Sequence, residues 1–249
     1  MSKLAGKRVA IVGGSQGVGR RMALAARNAG AQVLAVARRP EPLTQLAREA
    51  PGIETLSIDA TAEDAVQRIF ATMLPDVLVL CGGARPAMGP VQTQTWEQFS
   101  SVWNNDVHMS LNVVKAALAT PLAKGSTVVL VSSGAGLGGS QMSGGYAGAK
   151  RMQMFMAEYA QDQSDRLGLG IRFIAVVPLR IMASTEMGAA AIAAYSTYYG
   201  ITPAEFAGRM DGAQTPEQVA SAFVELVAES PVREGNVFTV SASGIAAVP

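Results

Sequence analysis

Cysteine and histidine are nearly missing from this chain: Cys81 and His108 are the single examples of their kinds. One cysteine excludes an internal disulfide and suits a reducing compartment. One of each also argues against a structural zinc site, which draws four ligands from such residues. No metal is expected. An excess of either charge is missing too, with 20 Lys+Arg against 19 Asp+Glu and a formal net charge of +1. Nothing in that balance recruits nucleic acid or a membrane surface. No apolar run approaches the ~20 residues of a membrane span. Residues Met1 to Lys7 carry no apolar signal core. The expectation is a soluble, cytoplasmic protein acting on a small molecule.

Hydrophobic residues are plentiful, at 49%, enough for the core of one domain over the 249 residues. Short apolar runs alternate with helix-favouring stretches. Arg8–Val12, Gln32–Ala37, Thr55–Ile58, Val77–Leu80, Thr127–Val131, Ile171–Val177 and Asn236–Val240 read as strands. From Thr95 to Leu118 the apolar residues Phe99, Val102, Val107, Leu111, Val114 and Leu118 recur at helical steps, which predicts one long helix. Pro216 to Glu229 predicts another. The alternation predicts an α/β fold: a doubly wound, Rossmann-type parallel sheet with helices on both faces and the ligand at the carboxyl ends of the strands. Residues 179–213 lack regular periodicity and hold Tyr195, Tyr198, Tyr199 and several methionines. They form a candidate substrate lid for an apolar or aromatic ligand; covering the core or meeting another subunit is the alternative.

Between the first strand and the first helix lies Gly13-Gly14-Ser15-Gln16-Gly17-Val18-Gly19. Glycines there permit a tight turn and let backbone approach a pyrophosphate, while the helix N-terminus offers unpaired N–H groups. Gly13, Ser15, Gln16, Gly17, Val18 and Gly19 are therefore candidate dinucleotide contacts. The second strand ends in Arg38-Arg39 where an acid would select NAD(H). Arginine pairs with a 2′-phosphate, so the pattern favours NADP(H); two solvated arginines would leave the preference open. Arg20 could add to the phosphate site. Asp59, with Ala60, follows the third strand, where a carboxylate can accept from the adenine amino group or cap the next helix. Gly82 and Gly83 follow the fourth strand, and such small residues let a cofactor lie close to the backbone.

The stretch Ser132 to Lys150 carries the chemistry. Tyr146 and Lys150 are four residues apart, so on a helix they share a face. A phenol beside an ammonium becomes a better proton carrier near neutral pH. Ser133, at a strand end, can hydrogen-bond the same substrate oxygen. Separately, these residues are ordinary: a solvated helix face and a turn. Together with the glycine turn they suit hydride transfer to or from a carbonyl, with the hydride supplied by a cofactor.

On these motifs the chain resembles a short-chain dehydrogenase/reductase from Gly13 to about Val240. The family's T-G-x-x-x-G-x-G is similar to Val12 to Gly19, with Val12 in place of threonine. Asp59 matches the aspartate after the third strand. Ser133, Tyr146 and Lys150 match the active-site serine, tyrosine and lysine. The resemblance implies about seven strands in the order 3-2-1-4-5-6-7 and a homotetramer or homodimer built on the long helices. It implies that Tyr146 is the general acid in reduction, that Ser133 binds the carbonyl oxygen, that Lys150 holds the nicotinamide ribose, and that Pro178 lies beside the nicotinamide.

The departures define what is particular here. The family's N-N-A-G is Cys81-Gly82-Gly83-Ala84, its P-G is Pro178-Leu179, and its closing V-D-G-G resembles Val240-Ser241-Ala242-Ser243. Its catalytic asparagine aligns with Asp106. A carboxylate there would offset the charge of Lys150, which predicts a tyrosine pKa less depressed than the family's and an alkaline-shifted optimum. Two functions are carried forward: an NADP(H)-dependent ketone reductase or alcohol dehydrogenase, and a cofactor-binding regulatory protein with little catalysis.

Overall fold

The computed structural model describes residues 2–210, 212, 214–229 and 232–248. Eight strands form one sheet: β1 (Arg8–Val12), β2 (Gln32–Ala37), β3 (Ile53–Ser57), β4 (Val77–Leu80), β5 (Thr127–Val131), β6 (Arg172–Pro178), β7 (Val237–Ser241) and β8 (Gly244–Ala247). Their order is β3-β2-β1-β4-β5-β6-β7-β8, with β8 antiparallel to β7. The expected order 3-2-1-4-5-6-7 is therefore present, and an eighth strand extends it. That strand, Gly-Ile-Ala-Ala, is too poor in β-branched residues to read as one.

Every residue of β4 and β5 is buried. Strands without an exposed face must be covered on both sides, which is why parallel connections through helices are required. The helices are α1 (Gly17–Asn28), α2 (Pro40–Glu49), α3 (Ala65–Thr72), α4 (Trp96–Val102), α5 (His108–Ala119), α6 (Ala135–Gly138), α7 (Gly144–Arg166), α8 (Glu186–Tyr199), α9 (Pro203–Gly208) and α10 (Pro216–Ala228). Met22 of α1, Leu46 of α2 and Phe223 of α10 pack on one face of the sheet. Ile69 of α3, Val113 of α5 and Met154 of α7 pack on the other. Phe173, Phe223 and Phe238 are fully buried, each contributing roughly 2–3 kcal/mol of transfer free energy. Capping boxes from Thr95 to Gln98 and from Thr215 to Gln218 start α4 and α10 where the sequence predicts helix starts.

Two expectations are corrected. The helix predicted from Thr95 to Leu118 is broken by a π-helical turn, Trp103–Val107, between α4 and α5. Periodicity alone hides such an extra residue, because the apolar spacing is only locally displaced. Residues 179–213 are not irregular, since they contain α8 and α9. Helix α8 carries small or apolar residues on most sides, so it gives no amphipathic signal. Positions 211 and 213 lie outside the described residues.

Candidate functional site

At the carboxyl ends of the strands lies a cleft of about 1370 Å³. Its walls include Gly13, Ser15, Gln16, Gly17, Val18 and Gly19, then Arg38, Arg39, Asp59 and Ala60, then Gly82 and Gly83, and finally Ser133, Tyr146, Lys150 and Pro178. The sequence candidates thus share one cavity, except Asp106, which sits behind its wall and is fully buried.

The glycine end is built by close approach. Gly13 has φ +83°, and a Cβ on it would lie 2.3 Å from the Gly82 nitrogen. A Cβ on Gly19 would lie 2.2 Å from the Gly13 carbonyl oxygen. Only glycine lets β1, α1 and the β4 loop meet this closely. Gln16 precedes α1 without a side-chain cap, so the first N–H groups of the helix remain for a ligand.

The charged residues around that end differ in their commitments. Arg20, expected to support a phosphate, is instead ion-paired with Glu49. Arg39 donates to the Gln16 side chain. Arg38 is exposed, and its guanidinium has no hydrogen-bond or ion-pair partner among the described residues. Asp59 does not cap α3, whose N-cap is Asp64. Its Oδ1 accepts from the Thr61 N–H and hydroxyl at 2.9 and 2.8 Å, which holds the carboxyl below its ordinary range.

The reacting end is organised by α7. Its neighbour strand is anchored through Ser132, whose Oγ donates to the Lys150 carbonyl oxygen at 2.6 Å, while Ser133 faces the cleft. Lys150 is buried; its ammonium donates to Gln153 Oε1 at 2.9 Å and to the Val131 carbonyl oxygen at 3.3 Å, and it is ion-paired with Asp106 Oδ2 at 3.1 Å. That Oδ2 accepts no hydrogen bond among the described residues. Burial pushes the lysine pKa down, but Asp106 and Tyr146 outweigh it and Lys150 titrates above its ordinary value. Its Nζ lies 5.6 Å from the centre of the Tyr146 ring.

Asp106 belongs to the π turn. Its Oδ1 accepts from the Ala84 N–H at 2.8 Å, leaving Oδ2 for Lys150. Ser110 Oγ donates to the Asp106 carbonyl oxygen at 2.7 Å and accepts from Gln153 Nε2 at 3.0 Å. A Cβ on Gly83 would lie 2.6 Å from Asp106 Oδ2. Gly83 and Asp106 are therefore sterically coupled: a side chain at 83 would meet the buried carboxylate. Gln153 and Ser110 escaped sequence reasoning, although Gln153 lies three residues after Lys150 and Ser110 four after Asp106, on shared helical faces. Cys81 lies at the cleft wall, and burial pushes its thiol up to about 11.

Over the cleft, Tyr195 stacks on Phe206 at 5.4 Å and on Tyr199 at 6.1 Å. The Tyr195 hydroxyl is 2.6 Å from Ser140 Oγ, and Arg85 pairs with Glu186 at 3.2 Å. These contacts tie α8 to the loops after β5 and β4. Leu179 also lines the cleft, and its backbone N–H donates to the Val240 carbonyl oxygen at 3.1 Å. Among the described residues no group of three or more His, Cys, Asp or Glu could hold a metal ion. No described helix is long and apolar enough to cross a membrane.

Sheet order and a glycine-turn cleft define a Rossmann-type nucleotide-binding architecture. The short chain dehydrogenase family model matches residues 7–195, and the chain belongs to that family. It is 32% identical over 132 residues to L-xylulose reductase of Mus musculus, covering 52% of this chain and 54% of that protein. It is 32% identical over 168 residues to short chain dehydrogenase/reductase AacuD of Aspergillus aculeatus, covering 62% and 59%. The chain spans about half the length of the L-xylulose reductases it matches. A short chain dehydrogenase from Shigella flexneri solved with NADP superposes at a TM-score of 0.78 over 96% of this chain and 97% of that one, at 20% identity.

Proposed function

We propose that this protein is an NADP(H)-dependent oxidoreductase interconverting a ketone and a secondary alcohol, with an apolar or aromatic substrate. The observation that carries the reading is the shared cavity: Tyr146 and Ser133 open onto the cleft that holds the glycine turn and the uncapped start of α1. The cradle suits a dinucleotide, because glycine at 13 and 19 lets β1, α1 and the loop after β4 pack closely enough to bring the start of α1 to the cleft. Arg38, without a partner among the described residues, would take a 2′-phosphate, and Asp59, which lines the cleft, would accept from the adenine amino group. Support also comes from relatives named for reduction of sugars and carbonyls, one of them carbonyl reductase [NADPH] 2 of Sus scrofa.

When bound, the nicotinamide cofactor supplies or accepts the hydride at the carbonyl carbon. In reduction Ser133 hydrogen-bonds the carbonyl oxygen and Tyr146 gives that oxygen its phenolic proton. The phenolate then recovers a proton from water in the cleft, so charge and protons balance. Tyr195, Tyr199 and Phe206 supply an aromatic wall for the substrate, and α8 excludes water over it. Exposed Leu111, Phe155 and Tyr159 on α5 and α7 suit the homodimer or homotetramer expected of the long helices.

The test is fluorescence titration with NADPH and NADH, then absorbance decay with a panel of hydrophobic ketones. Turnover that falls ~10²–10⁴-fold in Tyr146→Phe supports the reading. A second reading has its own observation: Lys150 donates to Gln153 and to the Val131 carbonyl and is ion-paired with Asp106, so its ammonium is held away from a ribose. NADPH binding with no turnover across the panel would favour a cofactor-binding regulatory protein.

A further inference from the structure

The ion pair at Lys150 differs from a surface pair in being buried, with Lys150 bordering the cleft. Asp106, Lys150, Gln153 and Ser110 are all buried and form a ring across the π turn, α5 and α7. Resting on the oxidoreductase reading, we propose that Asp106 and Gln153 are positioning residues that hold Lys150 off the cofactor ribose and cancel its charge at Tyr146.

The geometry suits a carboxylate at position 106. One oxygen faces the Ala84 N–H and the other faces the Lys150 ammonium. Both neighbours are donors. An asparagine has one acceptor oxygen, so its amide N–H₂ would oppose either the backbone N–H or the ammonium. Asparagine at 106 therefore expels Lys150 toward the cleft it already borders. The charged and titratable groups facing Lys150 are Asp106 from the π turn, Tyr146 from α7 and Cys81 from the end of β4. Cys81 stays a neutral thiol at working pH, since burial pushes it up to about 11. Gln153 and the Val131 carbonyl are neutral. Asp106 is thus the one anion that offsets the lysine there.

The experiment compares wild type with Asp106→Asn, Gln153→Glu and the double exchange. Two readouts are taken: the pH–rate limb of ketone reduction, and the ultraviolet tyrosinate titration of each protein minus its Tyr146→Phe counterpart. Asp106→Asn frees an uncompensated ammonium near the phenol, so both readouts move to lower pH by about one unit. It also tightens NADPH, because the lysine gains access to the ribose. Gln153→Glu adds a second anion and moves both readouts to higher pH. The double exchange puts the carboxylate back on Lys150 from the opposite side and returns them toward wild type. A merely structural role predicts the opposite for the double variant, since a second buried substitution adds damage. An unmoved limb and titration in Asp106→Asn would overturn the proposal. If Asp106→Asn does not fold, an unmoved Gln153→Glu does the same. If wild type binds NADPH but reduces nothing, the oxidoreductase reading fails while the tyrosinate titration still decides this one.

Discussion

Gly145 is the point where α7 touches α4, and replacing it with alanine tests whether that contact places Tyr146. A Cβ there would lie 1.9 Å from the Phe99 carbonyl oxygen and 2.8 Å from its carbon, both backbone atoms. Carbon and oxygen ordinarily approach no closer than ~3.3 Å, so one helix must retreat by roughly 1.4 Å. The Trp103 indole, which donates to the Gly145 carbonyl oxygen at 3.0 Å, moves with it. Overpacking of this kind costs about 1–3 kcal/mol. In a domain of this size each kcal/mol lowers Tm by about 2–4 °C. Tyr146 is the next residue, and a displacement near 1 Å at a reacting group costs on the order of 10²-fold in kcat/KM. Gly144→Ala is the control. Its Cβ would meet only the Phe99 ring edge, at 3.4 Å, and better helix propensity offsets that by up to about 1 kcal/mol. Urea denaturation followed by circular dichroism, with the ketone assay alongside, separates the two. Equal stability and activity in Gly145→Ala and Gly144→Ala would refute the reasoning.

Arg38→Ala is expected to weaken NADPH about tenfold and leave NADH unchanged, because an exposed charge-assisted contact is worth about 1.5 kcal/mol; equal loss for both nucleotides in a fluorescence titration contradicts the phosphate role. The Arg8 side chain and backbone N–H hydrogen-bond Asp76 and hold it below the ordinary carboxylate range. A depressed acid contributes stability that is complete above its unfolded value near ~4 and is lost as pH falls through its lower folded value. Asp76→Asn should therefore be less stable than wild type at neutral pH, with the gap in urea midpoint closing as pH falls below ~4. Cys81, its thiol pushed up to about 11, is expected to react with a disulfide reagent at neutral pH far more slowly than free cysteine; a burst of labelling in the native state would show that the burial argument is wrong.

Much of the site was legible because its residues are local in sequence. The turn from Gly13 to Gly19 declares itself by sitting between a strand and a helix. Tyr146 and Lys150 share a face by spacing alone. Continuous apolar runs such as Val77–Leu80 read as strands buried on both faces, which dictates a parallel sheet between helix layers. These inferences need only period, propensity and reach. The same logic singled out the Cys81–Ala84 turn, Asp106 and Leu179 as departures, but treated them as separate ones.

The pairings across the chain belonged to the tertiary structure. Arg20 meets Glu49, and no spacing rule links α1 to the end of α2. The π turn at Trp103–Val107 swings Asp106 between the Ala84 N–H and Lys150, and Gly83 makes room for its carboxylate. Whether Lys150 faces the cofactor or a buried anion depends on distances of about 3 Å between elements far apart in sequence. Sequence by itself determined the alternation of elements, the glycine turn and the shared helix face of Tyr146 and Lys150, since each follows from local stereochemistry. Only the packing of α7 against the π turn decided which group holds the lysine, because a buried charge takes its partner from whatever the fold brings within hydrogen-bond reach.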